Sequence, residues 1–334
     1  MCRESITGWR LKRSYLRGGH MMNVDVVIVG GGPAGVAASI WCKRLELSSV
    51  LLESNSRIGG QLSHIHNRII DYPGIVAENG KELQKHFEDH LAMVKSEVKT
   101  GCEAVSVDCG NKTVSFVRND GKETVSYTFL ILATGSRPRS LNVPGEKEML
   151  ERNEVYSAVR DKGRLANKVV AIAGGGDRAF EGADILSELS RKVYLIHRSD
   201  RFKARKALQD RVLNRENIEV LTHSTVTAVL GDRQVEQIRV NCQGEELSLS
   251  VEALLIRIGV EPVSSLVKGQ VDMDENGCIQ SDQMGQTSDP YVYAIGDLVN
   301  DPKYSSLSVS GAQGMMTVKH INERLNTNTG PVYY

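Results

Sequence analysis

Two stretches of the chain repeat one pattern, in which apolar β-branched residues lead into glycines and then into a helix-forming segment. The first is Asn23 to Gly35 (NVDVVIVGGGPAG) and the second is Lys168 to Ala179 (KVVAIAGGGDRA). A short apolar run that ends in glycines predicts a buried strand and a tight turn. A further apolar strand follows each predicted helix, at Ser49 to Glu53 and at Lys192 to Ile196. The pattern therefore predicts two strand-helix-strand units of an α/β fold.

The remaining pattern predicts further helices and strands of ordinary length. Apolar residues at helical spacing predict three helices, at Pro33 to Leu45, Asn79 to Glu97 and Ser310 to Arg324. Alternating apolar and polar residues from Gly101 to Tyr127 predict a hairpin around Asn119-Asp120-Gly121. Continuous apolar runs predict buried strands at Phe129 to Gly135, Ala253 to Gly259 and Pro290 to Asp297.

The glycines of the first unit have the spacing of a dinucleotide-binding turn. Gly30, Gly32 and Gly35 form G-x-G-x-x-G, in which absent side chains permit the turn, the approach of a pyrophosphate and close helix packing. The phosphates are expected at the N-terminus of the following helix. Glu53, at the end of the second strand, can accept hydrogen bonds from a ribose. The first unit is therefore predicted to bind a dinucleotide.

The second unit has the same turn but a different end to its second strand. Gly174, Gly176 and Ala179 form G-x-G-x-x-A, and the strand that follows ends in HRSDRFK, His197 to Lys203. Cationic side chains at this position pair with a 2′-phosphate, whereas a carboxylate favours a free 2′-hydroxyl. One site that ends in Glu53 and another that ends in Arg198 predict an FAD domain facing an NADPH domain. The predicted chemistry is hydride transfer through a flavin.

Composition restricts the class of protein. The chain has 334 residues, of which 40% are apolar and 25% charged, and its formal net charge is zero. Such a chain is long enough for two domains, and zero net charge gives no general attraction for nucleic acid. No apolar run is long enough to span a membrane. The six cysteines are scattered, with no C-x-x-C and no zinc spacing, which indicates a cytoplasmic protein without a metal site.

Residues 1–21 differ from the rest of the chain. They are basic and lack the apolar core of a signal peptide. The first predicted strand begins directly after Met21 and Met22. We therefore expect a non-native extension, with the native start at Met21 or Met22. The alternative is a disordered basic arm with a targeting role.

Seven motifs occur in the order and spacing of one known family. They are GGGPAG, Glu53, GGQL, ATG, GGGDRA, HRSDRFKA and AIGD, between Met22 and about Leu325. In these motifs the chain resembles the low-molecular-weight thioredoxin reductase family. The resemblance implies FAD, NADPH and a homodimer. It also implies that the NADPH domain is inserted into the FAD domain.

Motifs and resemblance together predict an α/β fold with two Rossmann-like dinucleotide-binding domains. The expected parts are an FAD-binding domain at 22–138 plus 262–325, an NADPH-binding domain at 139–261 and a tail at 326–334. The expected FAD-binding residues are Gly30, Gly32, Pro33, Ala34, Gly35, Glu53, Gly60, Gln61, Leu62, Thr134, Gly135, Gly296 and Asp297. The expected NADPH-binding residues are Gly174, Gly175, Gly176, Asp177, Arg178, Arg198 and Lys203. In the tail, Tyr333 and Tyr334 either fray or stack on the flavin.

The redox C-x-x-C of that family is missing. Its position, counted from the second glycine motif, holds Ser157-Ala158-Val159-Arg160, and the following Asp161 is retained. The other position where flavoprotein reductases carry a redox disulfide, Gln61 to Asn67, holds no cysteine either. Serine and arginine cannot form the disulfide or the thiolate that dithiol exchange needs. We therefore expect no reduction of thioredoxin by the usual route.

One branch of the family lacks the disulfide, namely the thioredoxin-reductase-like ferredoxin:NADP reductases. The chain is similar to this branch in its GGQLS run, and the resemblance implies that electrons pass from NADPH through FAD to ferredoxin or flavodoxin. A basic surface is either a docking site for such an acidic carrier or a 2′-phosphate site beside an ordinary charged helix. Its residues are Arg191, Lys192, Arg198, Arg201, Lys203, Arg205, Lys206, Arg211 and Arg215.

Two other functions stay open. In the first, the enzyme oxidises or reduces a small molecule at the flavin, with His64, His66 and Arg160 as candidate residues. In the second, the protein is a weakly active flavoprotein that senses NADPH. The fold does not decide among these functions. Because the flavin supplies the chemistry, no acid-base pair is assigned.

Overall fold

A computed structural model describes residues 22–119 and 121–327. The predicted extension, Asp120 of the hairpin turn, and Tyr333 and Tyr334 lie outside these residues. The helices are α1 Pro33–Arg44, α2 Gly80–Met93, α3 Glu146–Glu151, α4 Asp177–Ser187, α5 Lys206–Leu213 and α6 Leu307–Thr327. The strands are β1 Met22–Val29, β2 Ser49–Leu52, β3 Val98–Lys99, β4 Glu103–Asp108, β5 Thr113–Arg118, β6 Gly121–Leu132, β7 Ser136–Pro138, β8 Val169–Ala173, β9 Lys192–Ile196, β10 Ile218–Leu221, β11 Ser224–Leu230, β12 Gln237–Cys242, β13 Glu245–Ser250, β14 Ala253–Ile256, β15 Val260–Pro262 and β16 Val292–Ala294. In the described ranges, no helix combines the length and the apolar character that crossing a membrane requires.

The larger sheet has seven strands in the order β3-β2-β1-β6-β5-β4, with β16 paired to β6. Strands β3, β2, β1, β6 and β16 run parallel, and β4 and β5 add an antiparallel edge. The apolar run of β1 reflects burial on both faces of the sheet. Helices α1 and α6 cross on one face, where a Cβ on Gly314 would lie 2.6 Å from the Ala34 carbonyl oxygen. This close crossing therefore requires glycine.

The smaller sheet is parallel, with four strands in the order β10-β9-β8-β14. Helices α4 and α5 cover one face through a core that includes Phe180, Leu186 and Leu208. The antiparallel sheet β11-β12-β13 covers the other face through residues such as Val229 and Ile238. The central strand β8 leads into the second glycine motif, as the sequence pattern predicts.

Two short strands connect the sheets. The chain leaves the larger sheet after β6 through β7 and returns through β15, which pairs with β7 in antiparallel orientation. Arg137 Nε lies 2.8 Å from Glu261 Oε1 across this pair. The smaller sheet is thus built from a segment inserted between two strands of the larger one. The residue limits given above for the two domains stay a prediction.

Several predicted elements were wrong in their limits, among them the last helix, expected at Ser310 to Arg324 and found at Leu307–Thr327, and the last strand, expected at Pro290 to Asp297 and found at Val292–Ala294. The helix expected to run to Glu97 ends at Met93, because Lys95 adopts the left-handed conformation at φ +55° and the chain turns into β3. The hairpin strand and the buried strand Phe129 to Gly135, expected as two elements, belong to one strand, β6. Its first half pairs with the antiparallel strand β5 and begins exposed, whereas its last four residues are all buried at the centre of the sheet.

Candidate functional site

The first glycine turn lies between β1 and α1 and leaves space for an anion. Gly30 has φ +107°, and a Cβ there would overlap the Ala133 carbonyl oxygen. A Cβ on Gly35 would overlap the Gly30 carbonyl oxygen. In contrast, a Cβ on Gly32 would meet no atom within 4 Å. The turn therefore requires glycine at two positions for its own geometry, and at Gly32 the absent side chain leaves open space.

The N-terminus of α1 has no side-chain cap. Gly32 is the N-cap residue and Pro33 occupies the first turn, so the N–H groups of Ala34 and Gly35 receive no side-chain acceptor. A negatively charged phosphate beside a helix N-terminus accepts such hydrogen bonds and interacts favourably with the helix dipole. The open space and the uncapped amides together fit the pyrophosphate of FAD.

Glu53 follows β2 and is 4% exposed. Its Oε1 accepts from the backbone N–H of Asn55 at 2.8 Å and from Asn55 Nδ2 at 2.7 Å. Its Oε2 accepts one hydrogen bond, from the N–H of Gly31 at 2.7 Å. Because a carboxylate oxygen has about two acceptor positions, Oε2 keeps one for a ribose hydroxyl. The glycine turn thus holds the predicted ribose acceptor in place.

Hydrogen bonds of Gln61 join three parts of the chain that contain or adjoin predicted FAD residues. Gln61 Nε2 donates to the Ser136 carbonyl oxygen at 3.1 Å and to Asp297 Oδ2 at 3.3 Å. A Cβ on Gly60 would lie 3.1 Å from Gly32 Cα, so the segment with Gly60 approaches the glycine turn. Leu62, another predicted residue, is buried and packs in this region. Gly135 and Gly296, also predicted, have positive φ and turn the chain here. The hydroxyl of Thr134 instead donates to the Val263 carbonyl oxygen at 2.7 Å.

Sequence reasoning missed Gln313 of α6. Its Oε1 accepts from the N–H of Gly296 at 2.8 Å, and its Nε2 donates to Asn300 Oδ1 at 3.0 Å. Gln313 therefore fixes the loop that carries Asp297. The available signal was a glutamine beside Gly311 and Gly314, on a helix expected to begin under the cofactor.

The second glycine turn lies between β8 and α4 and repeats the first. Gly174 has φ +148°, and a Cβ there would overlap the Arg257 carbonyl oxygen. A Cβ on Gly176 would meet no atom within 4 Å, and α4 has no side-chain cap. Asp177 is already engaged, since its Oδ1 accepts from the N–H of Arg205 at 2.7 Å. Open space beside uncapped amides again fits a dinucleotide.

His197, which sequence reasoning also missed, covers the second glycine turn. A Cβ on Gly175 would overlap the His197 ring, and the ring lies 5.4 Å from that of Phe202. The histidine thus packs between the turn and the chain that follows β9. Burial lowers the pKa of His197 below its usual value, and the cations Arg198 and Lys203 lower it further, against a raising effect of the Arg201 carbonyl.

This lowered pKa gives a pH-dependent contribution to stability. As pH falls below about 6.5, the unfolded chain binds a proton at His197 more readily than the folded chain does. Acidification through that range therefore destabilises the fold. We expect Tm to fall less between pH 7.5 and 5.5 in His197→Gln than in the parent protein. Equal falls in the two proteins would contradict this reading.

Ion pairs occupy most of the basic surface. Six of its nine residues pair with carboxylates, namely Arg191 with Glu252, Lys192 with Glu219, Arg205 with Asp177 and Glu181, Lys206 with Asp210, Arg211 with Asp184, and Arg215 with Asp184 and Glu188. Within the described residues, Arg198, Arg201 and Lys203 have no carboxylate partner in an ion pair. These three follow β9, so the free cations lie where a 2′-phosphate is expected.

The segment Ser157 to Arg160, where the resemblance places a redox motif, is held by an arginine and an aspartate. Arg160 donates from Nη2 to Asp161 Oδ2 at 2.8 Å and also to the Val155 carbonyl oxygen. The N–H of Ser157 donates to Asp161 Oδ2 at 2.8 Å. Burial acts to raise the pKa of the Asp161 carboxyl, but the hydrogen bonds from Arg160 and Ser157 outweigh it and the pKa is lowered. The segment is therefore held by charge-assisted hydrogen bonds.

Of the small-molecule candidates, His66 and Arg160 interact electrostatically. His66 lies on the loop before α2, and Arg160 belongs to the inserted segment. Burial lowers the pKa of His66, and the nearby Arg160 cation lowers it further. His64 is exposed, and its charge also acts to lower the pKa of His66. The segment before α2 and the inserted segment thus approach each other near Arg160.

The described cysteines do not replace the missing pair. Cys42, Cys102, Cys109, Cys242 and Cys278 are all free thiols. Cys42 is fully buried in α1, and burial raises the pKa of its thiol to about 12. A buried thiol with a raised pKa is not a nucleophile at neutral pH.

Comparison with known proteins agrees with this arrangement. A family model described as pyridine nucleotide-disulphide oxidoreductase matches residues 24–318. A thioredoxin reductase of Mycolicibacterium smegmatis is 32% identical over 293 residues, covering 86% of this chain and 92% of the relative. A thioredoxin reductase of Spironucleus barkhanus is 33% identical over 311 residues, covering 91% and 100%. The solved thioredoxin reductase of Lactococcus lactis, in its FR conformation, has a TM-score of 0.74 at 27% identity, covering 90% of this chain and 98% of that chain.

These matches confirm the predicted family resemblance, the α/β fold class with two Rossmann-like units, and the cofactors FAD and NADPH. The chain belongs to the pyridine nucleotide-disulphide oxidoreductase family and is an FAD- and NADPH-dependent oxidoreductase.

Proposed function

We propose that the protein oxidises NADPH and that its FAD passes the electrons directly to the acceptor, with no protein disulfide between them. The observation that carries this proposal is the segment Ser157 to Arg160, where the arginine is held by Asp161 and no sulfur is present. Dithiol exchange needs a thiolate that attacks a disulfide, and this segment supplies none. The free thiols elsewhere are scattered, and Cys42 is inert.

The proposed division of labour follows the two glycine turns. The part of the chain at 22–138 plus 262–325 holds FAD through the first turn, Glu53, Gln61 and Asp297. The part at 139–261 holds NADPH through the second turn and the cations after β9. Bound FAD supplies hydride acceptance and electron release, and the protein residues bind and orient the two cofactors.

For the acceptor we propose ferredoxin or flavodoxin first. A flavin that has no dithiol partner can release electrons singly, which these carriers require. The ion-paired residues of the basic surface give no support to docking there, so the carrier proposal rests on the chemistry of the flavin. A homodimer and a cytoplasmic location are further proposals, which rest on the resemblance and on the scattered thiols.

A small-molecule acceptor is the second candidate function. The observation that favours it is the electrostatic interaction of His66 with Arg160, which lies in the segment where the family resemblance places the redox motif. Without two cysteine side chains, this position is available to a substrate. An NADPH sensor of low activity is the remaining alternative, and slow turnover with every acceptor would favour it.

Anaerobic stopped-flow absorbance tests the proposal. We expect NADPH to bleach the flavin within seconds, and the reduced protein to be reoxidised by ferredoxin or flavodoxin but not by thioredoxin. Reoxidation by small acceptors alone would select the second candidate. Rapid reduction of thioredoxin would overturn the proposal, and a flavin that NADPH does not bleach would indicate a degenerate nucleotide site.

A further inference from the structure

The guanidinium groups of Arg257 and Arg160 bind one segment of the chain, and Arg257 and Arg178 both adjoin the second glycine turn. Arg257 follows β14, where its Nη1 donates to the Ile256 carbonyl oxygen and its Nη2 to the Tyr156 carbonyl oxygen, each at 2.7 Å. Arg160 donates to the neighbouring Val155 carbonyl oxygen. The two guanidinium groups thus hold consecutive peptide units of one segment. Arg178 is the third member and lies in the first turn of α4.

The cluster has more positive than negative charge. Arg257 is half-buried, and its hydrogen bonds go to carbonyl oxygens and to no carboxylate. Arg178 forms no ion pair with any residue in the described ranges, and a cation in the first turn of a helix opposes the helix dipole. Burial lowers the pKa of Arg257, and the cations Arg178 and Arg160 lower it further. Asp161, a carboxylate beside Arg160, is shared by Arg160 and Arg164, and Asp177 and Glu181 of α4 pair with Arg205.

A bound anion neutralises such an excess of positive charge. The position of the cluster indicates which kind of anion binds there. Arg257 contacts the glycine turn from the β14 side, whereas Arg198, Arg201 and Lys203 follow β9 on the other side of β8. The 2′-phosphate therefore has its own cations. His66, from the segment before α2, is near enough to Arg160 for that cation to lower the pKa of the histidine. The cluster is thus near the junction of the segment before α2 and the inserted segment.

We propose that Arg257, supported by Arg160 and by the charge of Arg178, binds the anionic group of a small organic electron acceptor, such as a carboxylate. A planar guanidinium presents a fork of donors that matches the two oxygens of a carboxylate or sulfonate. The proposal rests on the small-molecule candidate function above and names its substrate class. It assigns Arg257 a binding role that no sequence motif indicates.

Two quinones that differ in charge test this site. With FAD-loaded protein, the reaction is NADPH + H⁺ + quinone giving NADP⁺ and hydroquinone, and the probes are 1,4-naphthoquinone and its 2-sulfonate. We expect KM for the sulfonate to be at least about tenfold lower than KM for the neutral quinone, since hydrogen bonds between charged groups are the strong ones. Arg257→Gln removes the charge but keeps a donor, and it should abolish this ratio. Arg233→Gln, on the exposed turn between β11 and β12, should keep it.

A binding measurement separates failure of the site from failure of the proposed function. Calorimetric titration of the FAD-loaded protein with redox-inert 2-naphthalenesulfonate should show binding that Arg257→Gln weakens about tenfold and Arg233→Gln does not. If neither quinone is reduced but this binding is seen, the small-molecule function fails and the anion site stands. Binding unaffected by Arg257→Gln would overturn the inference. The inference would also be overturned if Arg257→Gln raised KM for NADPH as much as KM for the sulfonate, because the cluster would then bind the nucleotide.

Discussion

Replacing Arg198, Arg201 and Lys203 together by glutamine should raise KM for NADPH about a hundredfold or more and leave KM for NADH almost unchanged. These three side chains follow β9 and have no carboxylate partner in the described residues, so their charges are free for a ligand. A hydrogen bond to a charged group contributes about 1.5–3 kcal/mol, so each lost contact costs about tenfold or more. NADH lacks the 2′-phosphate and makes none of these contacts. Steady-state kinetics with both nucleotides measure the effect.

Lys206→Gln is the matched control. Lys206 belongs to the same basic surface, but its Nζ pairs with Asp210 at 2.6 Å. We expect this variant to keep the preference for NADPH. If the triple variant raised KM for NADPH and KM for NADH equally, the cations would contact the part of the nucleotide that both share. The assignment of a 2′-phosphate site would then be wrong.

Gly32→Ala should abolish retention of FAD, and Gly176→Ala should abolish reduction by NADPH, while both variants fold. Gly32 and Gly176 have φ of −72° and −98°, which alanine adopts without strain, and a Cβ on either would meet no protein atom within 4 Å. The added methyl group instead occupies the space left for a pyrophosphate. Absorbance per protein after gel filtration measures FAD retention. Stopped-flow bleaching measures the reaction with NADPH.

Gly30→Ala provides the contrast. Its φ of +107° and the overlap of a Cβ with Ala133 predict misfolding in place of a selective loss of cofactor. We expect Gly176→Ala to keep its full FAD content, because the two turns belong to separate sheets. Loss of FAD in Gly176→Ala, or unchanged FAD content in Gly32→Ala, would contradict the assignment of one dinucleotide to each turn.

Local spacing explains how far the sequence predicted the site. The glycines, Glu53 and the cations after β9 each lie within one strand-helix-strand unit, so their order along the chain determines their positions. Gln313 and His197 escaped notice because their roles arise from packing. Gln313 of α6 accepts a hydrogen bond from the N–H of Gly296, which is distant in sequence. The ring of His197 packs directly over Gly175.

Charge was harder to predict than geometry. In the sequence, all nine cations of the basic surface look equally free. In the structure, Arg191 pairs with Glu252, which is distant along the chain, and Arg205 pairs with Glu181 of α4. Which cations remain free is therefore a property of the folded chain. The same holds for Arg257, whose neighbours Arg160 and Arg178 come from two other segments.

The relatives that are named thioredoxin reductases raise the central question. Family membership gives the fold and the cofactors, whereas disulfide chemistry needs two cysteines, and the chain has Ser157 and Arg160 where the resemblance places them. We therefore propose that the dithiol step of a disulfide reductase does not extend to this chain.

Anaerobic titration with dithionite tests that claim most directly, because it counts the electrons that the protein accepts for each FAD. A flavin takes up two electrons, and a redox-active disulfide takes up two more. We expect full bleaching after two electrons per FAD, with no further uptake. Uptake of four electrons per FAD would reveal a redox-active disulfide and would contradict direct transfer from the flavin to the acceptor.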